Sequence, residues 1–339
     1  MNKKSLEEIA QKMVADGKGI LAADESTGTI KKRFDTIALE STEDNRRDYR
    51  EMLFRSDEAM QSAISGVILY DETIRQKAAD GTTLVNLIER AGSIPGIKVD
   101  AGAKDMAGHP NENVTEGLDG LRERLEEYFK LGARFAKWRA VINIGDGIPS
   151  RACITANTHA LARYAALCQE NGIVPIVEPE LIMDGPHTIE RCYEVTSSVL
   201  TALYAQLDEQ NVHLEGSILK PNMIVSGTEC PKQASVQQVA EMTLDCFNKC
   251  VPQAVPGIVF LSGGQSDELA TAHLDAMNKM GPHSWKISFS YGRALQAAPL
   301  KTWGGKPENI IAAQAAFTHR AAMNKLAALG EWDANLEKG

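Results

Sequence analysis

The chain alternates along its length between short apolar runs and longer amphipathic stretches. Eight runs stand out: "GILAADES" at 19–26, "GVILYDET" at 66–73, "GIKVD" at 96–100, "RFAKWRAV" at 134–141, "IVPIVEPE" at 173–180, "GSILKPN" at 216–222, "GIVFLSGG" at 257–264 and "WKISFSYG" at 285–292. Each apolar core is nearly continuous, about four to six residues long, which fits parallel strands buried on both faces. Between the runs lie helical patterns. "TEGLDGLRERLEEYFKLGA" sets Leu118, Leu121, Leu125 and Tyr128 on one stripe and stops at Gly132. "NTHALARYAALCQENGI" keeps Leu161, Tyr164 and Cys168 in register and stops at Asn171-Gly172. "SDELATAHLDAMNKMG" opens on Ser266, a good N-cap with acids behind it. This alternation predicts an α/β fold with a parallel sheet, most economically a single (β/α)8 barrel. An open doubly wound sheet is the alternative, weakened because no G-x-G-x-x-G follows the first run.

Helices are predicted at both ends as well. In "MNKKSLEEIAQKMV", Ser5 and Glu8 fit a capping box, and Ile9 and Met13 share a face. "KPENIIAAQAAFTHRAAMNKLAALGE" reads as one long helix, with Pro307 near its start and Gly330 closing it. No Pro/Gly/Ser-rich linker interrupts the chain, so one catalytic domain is expected over 1–339, with 330–339 as a mobile, frayed tail.

Composition narrows the function. With 339 residues and a net charge of −9, the chain is long enough for a large barrel and too acidic for general binding to nucleic acid or an anionic membrane. No apolar run approaches the length of a membrane span, and no apolar h-region follows the first lysines. The six cysteines form no C-x-x-C pair, which predicts reduced thiols in a cytoplasmic protein.

In such a barrel the chemistry sits at the C-terminal ends of the strands. Read in order, those ends carry Asp24, Glu25 and Ser26; Asp71 and Glu72; Lys98; Lys137 and Arg139; Glu178 and Glu180; Lys220; Ser262, Gly263 and Gly264; and Ser290, Tyr291, Gly292 and Arg293. A lone lysine at a strand end is ordinarily a solvated rim residue; here the case rests on convergence. Lys137 and Arg139 are two apart and point the same way from a strand, as do Glu178 and Glu180. So many charges in one barrel mouth would be expensive without paired function. A lysine titrates at about 10.4 in water, so only about one part in a thousand is a free amine near neutral pH. Burial and nearby cations favour the neutral form. Lys220, ahead of Pro221 and facing Lys137 and Arg139, is therefore a credible imine-forming lysine, with Glu178 carrying the proton that removes the carbinolamine hydroxyl. "LSGGQS" and "SYGRAL" follow the seventh and eighth runs, where many barrels cradle a phosphate. Ser26, Thr29, Arg33 and Lys98 offer a second anion site opposite, so a bisphosphorylated carbonyl substrate would bridge the two.

Taken together, "KGILAADESTGTIKKR", "GIKVD", "FAKWRAV", "GIVPIVEPE", "LEGSILKPNM", "FLSGGQS" and "FSYGRALQ" resemble class I fructose-1,6-bisphosphate aldolases, over about residues 5 to 330. The resemblance implies a lyase of glycolysis and gluconeogenesis that reversibly cleaves fructose 1,6-bisphosphate to dihydroxyacetone phosphate and glyceraldehyde 3-phosphate. It implies that Lys220 forms the Schiff base, Glu178 accepts and donates the proton, Lys137 assists carbinolamine formation and Asp24 supports C–C cleavage. The ketose-end phosphate falls to Ser262, Gly263, Gly264, Ser290, Gly292 and Arg293, the other to Ser26, Thr29, Lys98 and Arg139, with Arg33 nearby. The family's position for Thr29 is often serine, and the hydroxyl is kept. No cofactor and no metal are implied, and members are commonly homotetramers with a sugar phosphate as their partner. Animal members end on a tyrosine that helps proton exchange; this chain has no tyrosine after Tyr291, so the expectation is either another group that protonates the enamine or a slower step there.

Three other readings stay open on the residues alone. A zinc-dependent aldolase would need a histidine cluster, whereas His109, His159, His187, His213, His273, His283 and His319 are scattered outside the strand-end motifs. A non-enzymatic scaffold barrel would have lost the lysine, Glu178 or the phosphate loops. Another imine-forming barrel could act on a different sugar phosphate.

Overall fold

Each apolar run becomes a strand, and each run's register decides what the barrel interior contains. The structure, a computed structural model, describes residues 2–338. Its strands are β1 (Gly19–Ala23), β2 (Ile64–Leu69), β3 (Ile94–Lys98), β4 (Gly102–Asp105), β5 (Asn113–Glu116), β6 (Phe135–Ile142), β7 (Val174–Leu181), β8 (Ile218–Leu219), β9 (Gly257–Phe260) and β10 (Lys286–Tyr291). Eight of them close into a parallel barrel in the order β1-β10-β9-β8-β7-β6-β3-β2. At least one helix follows each barrel strand, so this is the (β/α)8 TIM-barrel architecture that the alternation predicts.

Side chains on a strand alternate between its faces. Climbing the inward positions of the barrel therefore gives Ile20, Ala22 and Asp24; Phe135, Lys137 and Arg139; Val174, Ile176, Glu178 and Glu180; and Ile218 and Lys220. The lower members form one apolar cluster, joined from below by Leu6, Ala10, Met13 and Val14. The N-terminal helix Lys3–Met13 thus plugs the floor of the barrel, and the charged residues form its roof. The remaining apolar residues make a second core between sheet and helices.

The floor is tightly fitted around Phe135. Its ring lies where β-carbons on Gly66 and Gly96 would stand, at 2.9 and 2.3 Å. Gly96→Ala is expected to lower stability by about 1–3 kcal/mol through overpacking, read as a lower denaturant midpoint with unchanged slope. Gly81→Ala, whose β-carbon would meet nothing within 4 Å, gives no such clash and isolates the strain of its positive φ.

Several local expectations are corrected. The first helix is capped by Asn2, whose side chain accepts from Ser5 N at 3.3 Å, so Ser5 lies inside the helix and the Ser5/Glu8 capping box does not form. Leu6, Ala10 and Met13 carry its buried face, with Ile9 half-buried. Leu118 precedes its helix, which runs Leu121–Lys130 behind Gly120 in the left-handed region, although it still packs on the core. The antiparallel pair β4–β5 went unseen because "GAKD" and "NVTE" lack alternating apolar residues. The final segment is docked rather than frayed. Trp332 N donates to Asp275 Oδ1 at 3.0 Å, and Glu337 accepts from Trp332 Nε1 at 3.0 Å and from Arg320 Nη1 at 2.5 Å. Polar residues there satisfy a buried arginine instead of facing water. All six cysteines are free thiols, five of them buried.

Candidate active site

The roof of the barrel opens into a cavity of about 490 Å³ at the C-terminal strand ends. Every residue given a catalytic or phosphate-binding role from the sequence lines it: Asp24, Ser26, Thr29, Arg33, Lys98, Lys137, Arg139, Glu178, Lys220, Ser262, Gly263, Gly264, Ser290, Gly292 and Arg293. Of the other strand-end residues, Tyr291 turns into the core, where its hydroxyl donates to Ala270 O at 3.0 Å, and Asp71 and Glu72 also lie outside the cavity. These two acids begin the short helix Asp71–Arg75 and pair outward, Asp71 with Arg75 and Glu72 with Arg46, because the chain turns away at Tyr70. None of the seven histidines lines the cavity.

At its centre, charges alternate in a row. Asp24 Oδ2 lies 2.6 Å from Lys137 Nζ, which is 3.5 Å from Glu178 Oε2; Glu178 Oε1 lies 3.1 Å from Lys220 Nζ. Lys137, Glu178 and Lys220 are all buried. Backbone geometry explains the row. Lys137 and Glu178 stand on the neighbouring strands β6 and β7, whose ladder runs unbroken through Pro179. Lys220 N makes the last rung of β8, donating to Val177 O at 2.9 Å, and Pro221 has no N–H to add another. Burial alone would raise the Asp24 carboxyl. Lys137, then Lys220 and Lys98, outweigh it and bring it down to about 2. The stability that Asp24 contributes is therefore complete above about pH 4 and is lost only as pH falls through about 2. For Lys137 burial works the other way, but Asp24 and Glu178 outweigh it and hold the ammonium above the usual lysine range. The nearest charge to Lys220 is thus a carboxylate, whereas the strand ends alone suggested a cation-dominated setting. Each of those cations has its own acid: Lys137 has Asp24, and Arg139 has Glu180.

Three buried polar atoms of residues lining this cavity, Glu25 Oε2, Glu178 Oε2 and Ser290 Oγ, have no hydrogen-bond partner among the described residues. Such orphans are costly unless a ligand satisfies them. Around Ser290 lies an anion cradle. Gly263 and Gly264, at φ 58° and 97°, shape the turn after β9. Gly292 closes β10 at the start of the helix Arg293–Trp303, where a β-carbon would stand 3.3 Å from Arg33 Nη2. Helix N-termini favour anions. Arg293 forms no ion pair among the described residues. Across the cavity, the Ser26 and Thr29 hydroxyls sit 3.1 Å apart at the start of the helix Thr27–Asp35. Arg33 bridges the two halves, because its guanidinium pairs with Glu25 at 2.5 Å while lying against Gly292. A cavity of about 840 Å³ opens at the other end of the barrel, but its lining carries no such row of charges.

The profile of the family "Fructose-bisphosphate aldolase class-I" matches residues 5–339. The chain is 60% identical over 333 residues to a Xanthomonas campestris protein named "Probable fructose-bisphosphate aldolase class 1", covering 98% of this chain and 99% of that one. It is 53% identical over 331 residues to "Fructose-bisphosphate aldolase 1" of Toxoplasma gondii, covering 97% and 91%. The chain belongs to the class I fructose-bisphosphate aldolase family. A solved structure of the Plasmodium falciparum aldolase, in complex with TRAP and a small-molecule inhibitor, superimposes with a TM-score of 0.96 at 49% identity, covering 98% of this chain and 96% of that one. As a member of this aldolase family the chain is a lyase that cleaves fructose 1,6-bisphosphate through a lysine Schiff base.

Sequence reasoning left some of the aldolase's site residues without a role. Glu25 is buried between Arg33 and Arg50 and accepts from Gln296 Nε2 at 2.9 Å. Its place beside Asp24 was the available signal. Glu180 was noted only as a strand-end acid. Asp100, the last residue of the run "GIKVD", was given no role, since it lies two positions beyond the end of β3 in the short link to β4.

Proposed function

We propose that Lys220 is the amine that attacks the ketose carbonyl and that Glu178 carries the protons that turn the carbinolamine into an imine. The observation that carries this reading is the row Asp24–Lys137–Glu178–Lys220, in which the proton carrier touches both lysines. Carbinolamine formation joins the Lys220 nitrogen to the carbonyl carbon. Dehydration then expels the hydroxyl as water, with the proton supplied by Glu178. Lys137, kept cationic, stabilises the oxygen as it gains charge. Glu178, left ionised by the dehydration, takes the proton of the hydroxyl beyond the breaking C–C bond. That oxygen becomes the aldehyde carbonyl, the bond's electron pair flows into the imine to give the enamine, and Asp24 supports the break as a stably ionised carboxylate. The aldehyde product leaves, and the enamine is protonated and hydrolysed back to the free lysine.

Ser262, Gly263, Gly264, Ser290, Gly292 and Arg293 hold the phosphate at the ketose end; Ser26, Thr29, Lys98 and Arg139 hold the other, with Arg33 between them. Arg293→Ala is expected to raise KM for fructose 1,6-bisphosphate by about tenfold or more with a smaller change in kcat, because a charge-assisted contact is lost. An unchanged KM in steady-state assays would move that phosphate elsewhere.

We also infer one catalytic domain over 1–339, a metal-independent reaction, and a cytoplasmic homotetramer whose partner is a sugar phosphate rather than nucleic acid or a membrane. Net charge and family resemblance support these points. The deciding experiment is borohydride trapping with dihydroxyacetone phosphate, followed by peptide mass mapping. A reduced adduct on Lys220 is expected. An adduct on Lys137 would move the nucleophile, and no adduct, with activity lost to a chelator, would overturn imine chemistry.

A further inference from the structure

Asp100 makes more contacts at the rim of the cavity than a loop residue needs. Its carboxylate is 2% exposed. Oδ1 accepts from Lys98 Nζ at 2.7 Å and from Gly102 N at 3.1 Å, while Oδ2 accepts from Arg139 N at 3.2 Å. Lys98 Nζ also donates to the Asp100 carbonyl at 2.8 Å. The ladder between β3 and β6 has already ended at Lys98 and Lys137, apart from one bond from Val99 N to Lys137 O at 3.1 Å. Asp100 therefore continues the strand pairing with its side chain, past the point where the backbone diverges toward β4.

The residues it ties together are cations of the site. An ammonium has three N–H donors, and two from Lys98 are committed to Asp100. That fixes a side chain which would otherwise sample many rotamers, and leaves one donor for the cavity that Lys98 lines. The bond to Arg139 N holds the backbone from which a second cation projects.

We infer that Asp100 is a positioning residue that sets where Lys98 stands relative to Arg139, and so favours substrates with a second phosphate over those with one. The inference rests on assigning Lys98 to the phosphate remote from the ketose carbonyl. Two effects of the carboxylate compete. Its negative charge opposes an incoming phosphate, while its hydrogen bonds order the lysine that receives it. If ordering dominates, removing the charge weakens binding of the bisphosphate. If charge dominates, the same change tightens it.

The test is a cycle of Asp100→Asn, Lys98→Met and the double variant, assayed on fructose 1,6-bisphosphate and on fructose 1-phosphate. Asp100→Asn is expected to raise KM for the bisphosphate about tenfold, with kcat and the fructose 1-phosphate kinetics within about twofold of the parent. In the Lys98→Met background the same substitution is expected to add nothing further, because its effect runs through Lys98. A fall in KM, an equal loss on both substrates, or an undiminished effect without Lys98 would each overturn the proposal; the last would make Asp100 a strand clip only. An effect of Lys98→Met with none of Asp100→Asn would overturn positioning alone, whereas an inert Lys98→Met would overturn the phosphate assignment beneath it. If Asp100→Asn does not fold, Asp100→Glu keeps the charge and moves it by one methylene. It is expected to raise KM for the bisphosphate alone, and unchanged kinetics would overturn the proposal.

Discussion

Lys220→Met is expected to leave a folded barrel with aldol cleavage reduced by on the order of 10⁴-fold or more, the scale seen when a covalent catalyst loses its nucleophile. Methionine keeps the length and shape of the lysine stem in a buried position. What disappears is the amine and one charge of the row. Glu178 does not become an isolated buried anion, since Lys137 remains 3.5 Å from Oε2. The stability loss should therefore fall below the 3–5 kcal/mol or so typical of breaking a buried pair outright. Thermal unfolding checks the fold, and single-turnover cleavage checks the chemistry. Residual activity within about tenfold of the parent would remove Lys220 from the nucleophile's role.

Glu178→Gln should be the next most damaging change and should fail differently. Glutamine keeps the shape but cannot move a proton, so the steps that pass through Glu178 should slow by about 10²- to 10⁴-fold, the range of general acid–base catalysis. The amine is still present, so borohydride should still trap an adduct on Lys220, formed more slowly. Lys137 loses one of the three carboxylates that hold its pKa up but retains Asp24 at 2.6 Å, with Asp100 beyond it. It should therefore stay cationic. A variant with normal turnover would show that another group carries the proton; one that forms no adduct even on long incubation would make Glu178 necessary for attack as well as dehydration.

The barrel was legible because its strands are buried on both faces, which leaves near-continuous apolar runs that few other structures produce. The strand ends were legible for the same reason, since a charge ending such a run has few explanations. Lys220, Lys137 and Glu178 announce themselves in this way, and the structure brings them into one cavity. Residues beyond the strands carry no such signal. Asp100 sits two positions past β3, between Val99 and Ala101, and its contact on Arg139 exists only once two strands are side by side. Glu25 reads as a second acid next to Asp24 until Arg33 and Arg50 are brought onto it from helices. The same limit applies to Glu337. Nothing in a polar terminal segment indicates that Arg320, buried in the helix Ile310–Leu329, awaits a carboxylate.

The helix that plugs the barrel floor also bears on traffic. With Leu6, Ala10, Met13 and Val14 stopping the lower end, the described residues leave the chamber one door, at the C-terminal strand ends. Sugar phosphate, departing aldehyde and the water that frees the lysine must all pass through it in turn. A product still standing in that doorway shields the reactive enamine from hydrolysis, and an incoming aldehyde can take the same place. With the floor closed and the second product still held on the lysine as the enamine, the aldehyde has to clear that door before the other product can leave.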